Sequence, residues 1–299
     1  MSNKDLEITI GITAFNEGIL LIDSWKSVLQ QTSENWEAVM VLDGGGDKKT
    51  QRLFESISHK KLRKFRNTNN LGPYPSRKKS IKFATNDWYL HLDADDLLNF
   101  NAVRELVSII KLNPKCEYIY GPTEYFDEKN KQVKYPSKNI EDLCLQPLFI
   151  PTAPFKISLL NRIGGFCDEL FINADWDFWL SVFEQNIKGA YTDTTIYKRR
   201  YRFNNVGHTH IDLRPAILEK IIQRHPIYFN SDNRKNIARF NVYQKLARYY
   251  KSIGDRKNAT KYAKEALKYG DSIPAFDIIF QEEKMSFLRY KLRRLGRLV

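Results

Sequence analysis

The sequence is poor in cysteine and has no long apolar run. Its three cysteines, Cys116, Cys144 and Cys167, are far apart and form no CxxC pair. Disulfide frameworks and cysteine-rich zinc sites need paired or closely spaced cysteines, so neither is expected. No apolar run approaches the roughly 20 residues that cross a bilayer, and the opening MSNKDLEITI lacks the apolar core of a signal peptide. We therefore expect a cytoplasmic protein that is soluble or peripheral on the inner face of the cell membrane.

Acidic residues are scarce relative to basic ones. The 299 residues include 48 lysines and arginines against 35 aspartates and glutamates, which gives a net charge of +13. A surface with this charge favours anionic partners such as nucleic acid, phosphorylated substrates or acidic lipid headgroups. Because 42% of the residues are hydrophobic and 13% are aromatic, the chain can bury a large core, which excludes wholesale disorder.

Apolar β-rich segments alternate with helical patterns over the N-terminal part of the chain. The predicted strands include residues 7–13, 36–42 and 88–92, and residues 103–110 have the apolar spacing of an amphipathic helix. Strands that alternate with helices predict an α/β fold, with a mainly parallel sheet flanked by helices. In such a sheet, ligands bind beyond the carboxyl ends of the strands.

The pattern changes in the later part of the chain. Residues 123–126 and 132–135 predict an antiparallel pair, and the chain beyond about residue 212 is almost wholly helical. Residues 246–267 resemble one tetratricopeptide unit, which cannot form a solenoid because about three stacked repeats are needed. This region is either a plain helical appendage or a partner-docking surface. We expect two domains, residues 1–210 and residues 211–299.

Acidic residues follow two of the predicted strands. Asp43 ends the second strand, and Asp93, Asp95 and Asp96 follow a later one. Carboxylates at alternate positions beyond a buried strand are costly unless a cation meets them, so Asp93 and Asp95 indicate a metal or ligand site. Hard divalent cations often bridge one carboxylate to substrate phosphates, which is the role expected for Asp95. The alternative is that these residues cap the helix near Asn101 or lie in a solvated turn.

Other polar segments have similar positions. Residues 13–17 end the first strand and offer backbone amides and an aromatic ring to a planar base. Residues 70–72 and 77–79 form a loop and a basic helix start that suit a diphosphate. The alternative for residues 77–79 is an exposed basic helical turn.

Six segments in order carry a family resemblance: TAFNE (13–17), LDGGGDKKT (42–50), NLGPYPSRK (70–78), LDADD (92–96), GGFCDE (164–169) and ADWDFWL (174–180). Together they resemble the family 2 glycosyltransferases, over residues 7 to about 205. The resemblance implies a GT-A (Rossmann-like) fold and an inverting glycosyltransferase. Such an enzyme moves a sugar from a nucleoside diphosphate sugar, with UDP favoured, to a hydroxyl of a glycan or lipid-linked acceptor.

The resemblance also implies roles for individual residues. The implied nucleotide-sugar contacts are Thr13, Phe15, Glu17, Asp43, Arg77, Asp93 and Ala94. Asp95 is the implied ligand of Mn²⁺ or Mg²⁺, and His208 is either a further metal or phosphate contact or a surface residue. Asp175 is the implied general base, with helix capping as its alternative reading.

Three positions depart from the family pattern. Leu42 stands where relatives often have a first aspartate, Ala174 replaces the usual glutamate before Asp175, and Lys78 replaces a common asparagine. None of these changes removes the implied metal ligand or the implied base. An active enzyme is therefore the favoured interpretation.

The C-terminal residues 284–299 contain six basic residues and no acidic one, interleaved with apolar residues. As a helix, this segment suits an anionic membrane surface, or it packs on the body of the protein.

Three other functions compete with sugar transfer. A nucleic-acid-binding protein fits the net charge, but the basic and aromatic residues form no recognisable RNA or DNA module, so no nucleic acid is expected. A nucleotidyltransferase needs a glycine-rich phosphate loop near the N-terminus, which residues 13–18 do not supply. A catalytically silent interaction scaffold, acting through the helical C-terminal part, is the remaining alternative.

Overall fold

The computed structural model describes residues 6–127, 131–133, 153–201 and 210–270. The chain divides into two compact units, Met1–Arg202 and Phe203–Val299. The expected domain boundary after residue 210 stays a prediction. Residues 284–299 lie outside the described residues.

A seven-stranded sheet forms the centre of the first unit. Its strands are β1 (Ile8–Ala14), β2 (Trp36–Leu42), β3 (Leu62–Arg66), β4 (Trp88–Asp93), β6 (Tyr118–Tyr120), β9 (Phe155–Lys156) and β10 (Gly189–Tyr191), in the order β10-β6-β9-β4-β1-β2-β3. Neighbouring strands from β4 to β3 are parallel, as are β10 and β6, whereas β9 runs antiparallel to β4 and β6. The expected α/β fold with a mainly parallel sheet is confirmed.

A second sheet has four strands in the order β5-β11-β7-β8. They are β5 (Leu97–Leu98), β7 (Thr123–Asp127), β8 (Lys131–Val133) and β11 (Tyr197–Tyr201). The expected antiparallel pair corresponds to β7 and β8. Because β5 begins just after the acidic run and pairs with β11, the second sheet brings β11 beside that run.

Six helices of the first unit lie within the described residues. They are α1 (Leu20–Leu29), α2 (Lys48–Ser56), α3 (Pro73–Lys82), α4 (Ala102–Leu112), α5 (Ser158–Ile163) and α6 (Ala174–Glu184). In α4 the predicted apolar positions Val103, Leu106, Val107 and Ile110 are all buried. The helix α3 begins after Gly72, whose φ of +89° favours glycine, and has Pro73 in its first turn.

The core is built from strands that are buried on both faces. Successive residues Ala38, Val39, Met40 and Val41 of β2 are each 0% exposed, although they alternate between the two faces of the sheet. A strand covered on both sides has an almost continuous apolar sequence, which explains the run AVMVL.

The second unit is helical in its described part. It contains a 3₁₀ helix (Ile211–Leu213) followed by α7 (Arg214–Arg224), α8 (Asp232–Ser252) and α9 (Arg256–Ala266). The tetratricopeptide-like pattern falls on α8 and α9, where Leu246, Ala247, Ala259 and Ala266 are buried. Among the helices that the structure describes, none is both long and apolar enough to cross a bilayer.

Glu37 connects β2 to three neighbouring segments. Its carboxylate accepts hydrogen bonds from the Thr9 hydroxyl at 2.6 Å, from the Thr85 N–H and hydroxyl at 2.7 Å, and from Arg63 at 2.7 Å. Burial raises the pKa of Glu37, but the hydrogen bonds from Thr9 and Thr85 and the charge of Arg63 outweigh burial and lower the pKa below its ordinary value. Glu37 therefore stabilises the fold in its ionised form.

We predict that Glu37→Gln lowers the free energy of unfolding by about 1–3 kcal/mol at pH 7, because charged hydrogen bonds are lost. The contribution of a carboxylate with a lowered pKa is complete above the ordinary glutamate value of about 4.3 and disappears as the pH falls through the folded-state pKa. The free energy of unfolding, measured by urea denaturation, should therefore differ less between Glu37→Gln and wild type below pH ~4 than at pH 7. Glu55→Gln, at an exposed ion pair with Arg66, is the control. A difference that does not change with pH would contradict this assignment.

Candidate active site

The acidic run follows β4 directly at the carboxyl edge of the central sheet. Asp93 is the last residue of β4 and pairs in register with Thr13 of β1. The Ala94 N–H donates to the Thr13 carbonyl at 3.2 Å, and the Asp96 N–H donates to the Asp93 carbonyl at 3.0 Å. Thr13, Asp93 and Ala94 therefore lie together, and their contact with a nucleotide stays a prediction.

Asp93, which is partly exposed, forms an ion pair with the buried Arg77. Its Oδ1 accepts from Arg77 Nη2 at 2.9 Å and from His91 Nε2 at 2.8 Å. Burial raises the pKa of Asp93, but Arg77 and His91 outweigh burial and hold the pKa well below its usual range. Burial and the Arg77 charge lower the pKa of His91 to about 4. At neutral pH, the neutral His91 imidazole and the Arg77 cation therefore both donate to an ionised Asp93.

Arg77 is buried and uses only part of its hydrogen-bonding capacity within the described residues. Its side chain is 6% exposed, so the alternative of an exposed basic turn is wrong for this residue. Nε and Nη1 are buried and have no hydrogen-bond partner among the described residues. Buried donors without a partner are costly, and a charged guanidinium even more so. Arg77 can therefore bind an acceptor that the described part of the chain does not supply.

Asp175 is held by Tyr74. The Tyr74 hydroxyl donates to Asp175 Oδ1 at 2.8 Å and lies 3.4 Å from the Asp175 backbone N–H. Burial and the charge of Asp175 raise the pKa of Tyr74 well above its usual value, so the hydroxyl keeps its proton and donates. The cap residue of α6 is Asn173, and Asp175 lies in the first turn. Asp175 is therefore not the residue that caps α6.

One connected network joins three of the predicted site residues. It runs through His91, Asp93, Arg77, Tyr74 and Asp175. The Arg77–Tyr74 link is a cation–π contact, with the guanidinium carbon 5.3 Å from the ring centroid. The carboxyl end of β4 and the start of α6 therefore belong to one site.

Asp43 organises the loop before α3. Its buried carboxylate accepts from Asn67 Nδ2 at 2.9 Å, from the Leu71 N–H at 3.0 Å and from the Gly72 N–H at 2.8 Å. Both oxygens are therefore engaged by groups of the chain. Asp43 positions the helix that carries Arg77, and its direct contact with a nucleotide stays a prediction.

The glycine-rich turn allows two loops to approach each other. A Cβ at Gly46 would lie 2.0 Å from the Phe15 carbonyl oxygen, and one at Gly44 would lie 2.5 Å from the Asn69 backbone nitrogen. Glu17 accepts from the Phe15 N–H at 2.6 Å, which shapes the loop after β1. Only glycine permits this packing at positions 44 and 46, and the nucleotide contacts of Phe15 and Glu17 stay predictions.

Asp95 and Asp96 have different environments. Asp96 is buried and accepts from the Tyr197 hydroxyl and from the Arg200 N–H at 2.6 Å. Burial, followed by the charges of Asp95 and Asp93, raises the pKa of Asp96 well above its usual value. Asp95 is half-buried, and its carbonyl accepts from Arg200 Nε at 2.8 Å. Asp96 therefore fixes the acidic run to β11, and Asp95 is the more accessible carboxylate.

The described residues contain no ready-made cluster of metal ligands. Among the residues that the structure describes, no group of three or more histidine, cysteine, aspartate or glutamate side chains could hold one. His208 lies outside the described residues. A hard divalent cation can be held by one or two carboxylates together with substrate phosphates and water, so this donor set fits a cation that binds with its phosphate ligand.

The two arginines of β11 and the hydroxyl of Tyr74 were not among the predicted site residues. Burial lowers the pKa of Arg199, but Tyr125 and Asp96 outweigh burial and raise it, so Arg199 stays charged. Arg200 donates to Asp127 at 2.9 Å. The only signals in the sequence were the adjacent arginines of the β-rich run YKRRY and a tyrosine inside NLGPYPSRK.

Comparison with known proteins agrees with this geometry. The family model described as Glycosyl transferase family 2 matches residues 9–166, more than half of the chain. The chain belongs to glycosyltransferase family 2. A family 2 relative in Escherichia coli, UDP-Glc:alpha-D-GlcNAc-diphosphoundecaprenol beta-1,3-glucosyltransferase WfgD, is 25% identical over 61% of this chain and 72% of its own length.

Other relatives differ from this chain in length. A glycosyltransferase of Rickettsia bellii is 25% identical over 62% of this chain but only 28% of its own length. One of Haemophilus influenzae is 25% identical over 60% of this chain and 62% of its own length. The matched region is therefore only part of these two relatives.

Solved structures confirm the GT-A fold. Residues 1–349 of S. aureus TarS in complex with UDP-GlcNAc align with a TM-score of 0.60 and 13% identity, covering 94% of this chain and 93% of that chain. Mannosyltransferase PcManGT from Pyrobaculum calidifontis, in complex with GDP-Man and Mn²⁺, aligns with a TM-score of 0.58 and 17% identity, covering 94% of this chain and 81% of that chain. At these identities the likeness shows the fold alone.

We predict that Asp43→Asn lowers the free energy of unfolding by about 1.5–3 kcal/mol, because the new NH₂ group would face backbone N–H donors. Urea denaturation measures this loss. Asp47→Asn is the matched control in the same loop: Asp47 is exposed and caps α2 through the Thr50 N–H, and asparagine caps a helix about as well as aspartate. Equal stability losses in the two variants would show that Asp43 does not organise the loop.

Proposed function

We propose that this chain transfers a sugar from a nucleoside diphosphate sugar to an acceptor hydroxyl, with inversion at the anomeric carbon. The network from Asp93 through Arg77 and Tyr74 to Asp175 carries this proposal. It joins the acidic run to a carboxylate on a second element. Its central cation, Arg77, has two buried nitrogens that find no hydrogen-bond partner in the described part of the chain. Sugar transfer requires a site that binds the anionic diphosphate and a group that accepts the proton of the acceptor hydroxyl.

On the donor side, Arg77 would meet an oxygen of the nucleotide through Nε and Nη1. Thr13, Phe15, Glu17 and Ala94 would form the rest of the donor site at the carboxyl edge of the sheet. UDP is the favoured carrier, which is supported by the UDP-Glc in the name of WfgD and the UDP-GlcNAc complex of TarS. Because PcManGT was solved with GDP-Man, GDP-linked sugars should be tested as donors as well.

Asp95 would hold a Mn²⁺ or Mg²⁺ ion together with the donor phosphates. PcManGT, of the same fold, was solved with Mn²⁺. The ion would stabilise the charge that develops on the departing diphosphate. Within the chain, Arg77 and Arg199 lie close enough to the acidic run to interact electrostatically with Asp93, which keeps the run from accumulating uncompensated negative charge.

Asp175 would be the general base. The acceptor oxygen forms a bond to the anomeric carbon as the bond from that carbon to the diphosphate oxygen breaks, and the electron pair leaves with the diphosphate. Asp175 accepts the acceptor proton on the opposite face of the sugar. A single displacement of this kind inverts the anomeric configuration.

The acceptor would be a glycan or a lipid-linked saccharide. WfgD is named for a diphosphoundecaprenol acceptor, and lipid-linked acceptors lie at a membrane surface. A cytoplasmic enzyme with the basic apolar segment 284–299 on an anionic inner membrane face would reach such an acceptor.

We predict that Asp95→Ala abolishes Mn²⁺-dependent donor binding, while Asp175→Asn leaves the donor dissociation constant within about threefold and lowers turnover by about 100-fold or more. Isothermal titration and slow donor hydrolysis with UDP-glucose, UDP-GlcNAc and GDP-mannose measure the two effects. Asp232→Ala, an exposed aspartate of the second unit, is the control.

Wild-type binding and hydrolysis in both site variants would show that the site assignment is wrong. No binding of any nucleotide sugar by wild type, together with salt-dependent binding of oligonucleotides, would favour a nucleic-acid-binding protein.

A further inference from the structure

Tyr74 contacts both sides of the candidate site. Its hydroxyl donates to Asp175 Oδ1 at 2.8 Å, and its ring lies 5.3 Å from the guanidinium carbon of Arg77. Arg77 in turn donates to Asp93 at 2.9 Å. A single side chain therefore links the base candidate to the arginine that faces the acidic run.

The position of the Tyr74 ring is fixed from several directions. The residue lies in the first turn of α3 and is buried. Its ring centroid is 5.7 Å from that of Phe166, and Phe166 stacks at 4.8 Å on Phe178 of α6. The helix α6, which has Asp175 in its first turn, therefore contacts Tyr74 by the hydrogen bond and through these rings. Such packing leaves the hydroxyl little freedom to move away from Asp175.

We propose that Tyr74 is the residue that positions Asp175 for proton transfer. This inference rests on the proposed function, because it takes Asp175 as the base. The hydroxyl keeps its own proton and donates to one carboxylate oxygen throughout, while the acceptor proton moves to the carboxylate of Asp175. Tyr74 is thus a positioning residue: it contacts Asp175 and touches neither the sugar nor the acceptor oxygen.

Positioning by Tyr74 has a kinetic consequence. A carboxylate displaced by about 1 Å from its productive place can lose about 100-fold in rate, even where binding is unchanged. The loss of the hydroxyl should therefore reduce kcat and spare the donor KM. It should also have no effect once Asp175 can no longer accept a proton.

The test compares Tyr74→Phe, Asp175→Asn and the double variant in donor hydrolysis with Mn²⁺ and UDP-glucose, UDP-GlcNAc or GDP-mannose. Phenylalanine keeps the ring, and with it the contacts to Arg77 and Phe166. We expect Tyr74→Phe to lower kcat by about 10- to 100-fold and to change KM by less than about twofold. The double variant should be no slower than Asp175→Asn alone, because the two residues act as one unit.

Tyr250→Phe is the matched control. The Tyr250 hydroxyl also donates to an aspartate, Asp212, but in the second unit. Both tyrosine variants should lose a similar amount of thermal stability, whereas only Tyr74→Phe should lose turnover.

The outcomes separate this inference from the proposed function. An inactive Asp175→Asn beside a Tyr74→Phe with wild-type kcat would overturn the role of Tyr74 and leave the proposed function standing. A Tyr74→Phe that raises KM alone, or that slows the Asp175→Asn background by the same factor as wild type, would also overturn the inference. An Asp175→Asn with wild-type hydrolysis would overturn the proposed base itself.

Discussion

The ion pair between the buried Arg77 and the partly exposed Asp93 is the interaction on which the site depends. Removing the Arg77 charge from water is expensive, and the cost is recovered only with good geometry and further hydrogen bonds. His91 supplies one such bond to Asp93, while Nε and Nη1 of Arg77 have no partner among the described residues. The pair connects α3 to the end of β4, but it uses only one of the guanidinium nitrogens as a hydrogen-bond donor. An anionic ligand would complete it, which gives a physical reason for binding at this place.

The acidic residues of the site have two different roles: some stabilise the loops, and others are accessible to a ligand. Asp43 accepts from backbone amides of the loop before α3, and Asp96 accepts from Tyr197 and Arg200. These two carboxylates hold the loops that carry the site. Asp95, just after β4, and Asp175, in the first turn of α6, are more accessible. Position at a strand end therefore did not distinguish a ligand-binding acid from a structural one. The hydrogen-bond donors that surround each carboxylate in the structure made this distinction.

Short sequence patterns predicted the secondary-structure elements, because these depend on interactions between residues close together in the chain. The apolar run of β2 and the spacing in α4 follow from burial alone, and they indicated the parallel sheet and its flanking helices. The strand β9 has two residues, too few to show a period, and was not predicted. The bond between Tyr74 and Asp175 spans 101 residues, and so does that between Asp96 and Tyr197. Such contacts leave no periodicity in the sequence, so the sequence could indicate the acids but not their partners.

A crystal structure with a nucleoside diphosphate sugar and Mn²⁺ would test the central claim most directly. We predict a ligand oxygen within hydrogen-bond distance of Nε or Nη1 of Arg77, with the Arg77–Asp93 pair and the Tyr74–Asp175 bond intact. A bound donor that leaves both of these Arg77 nitrogens without a ligand contact would contradict it.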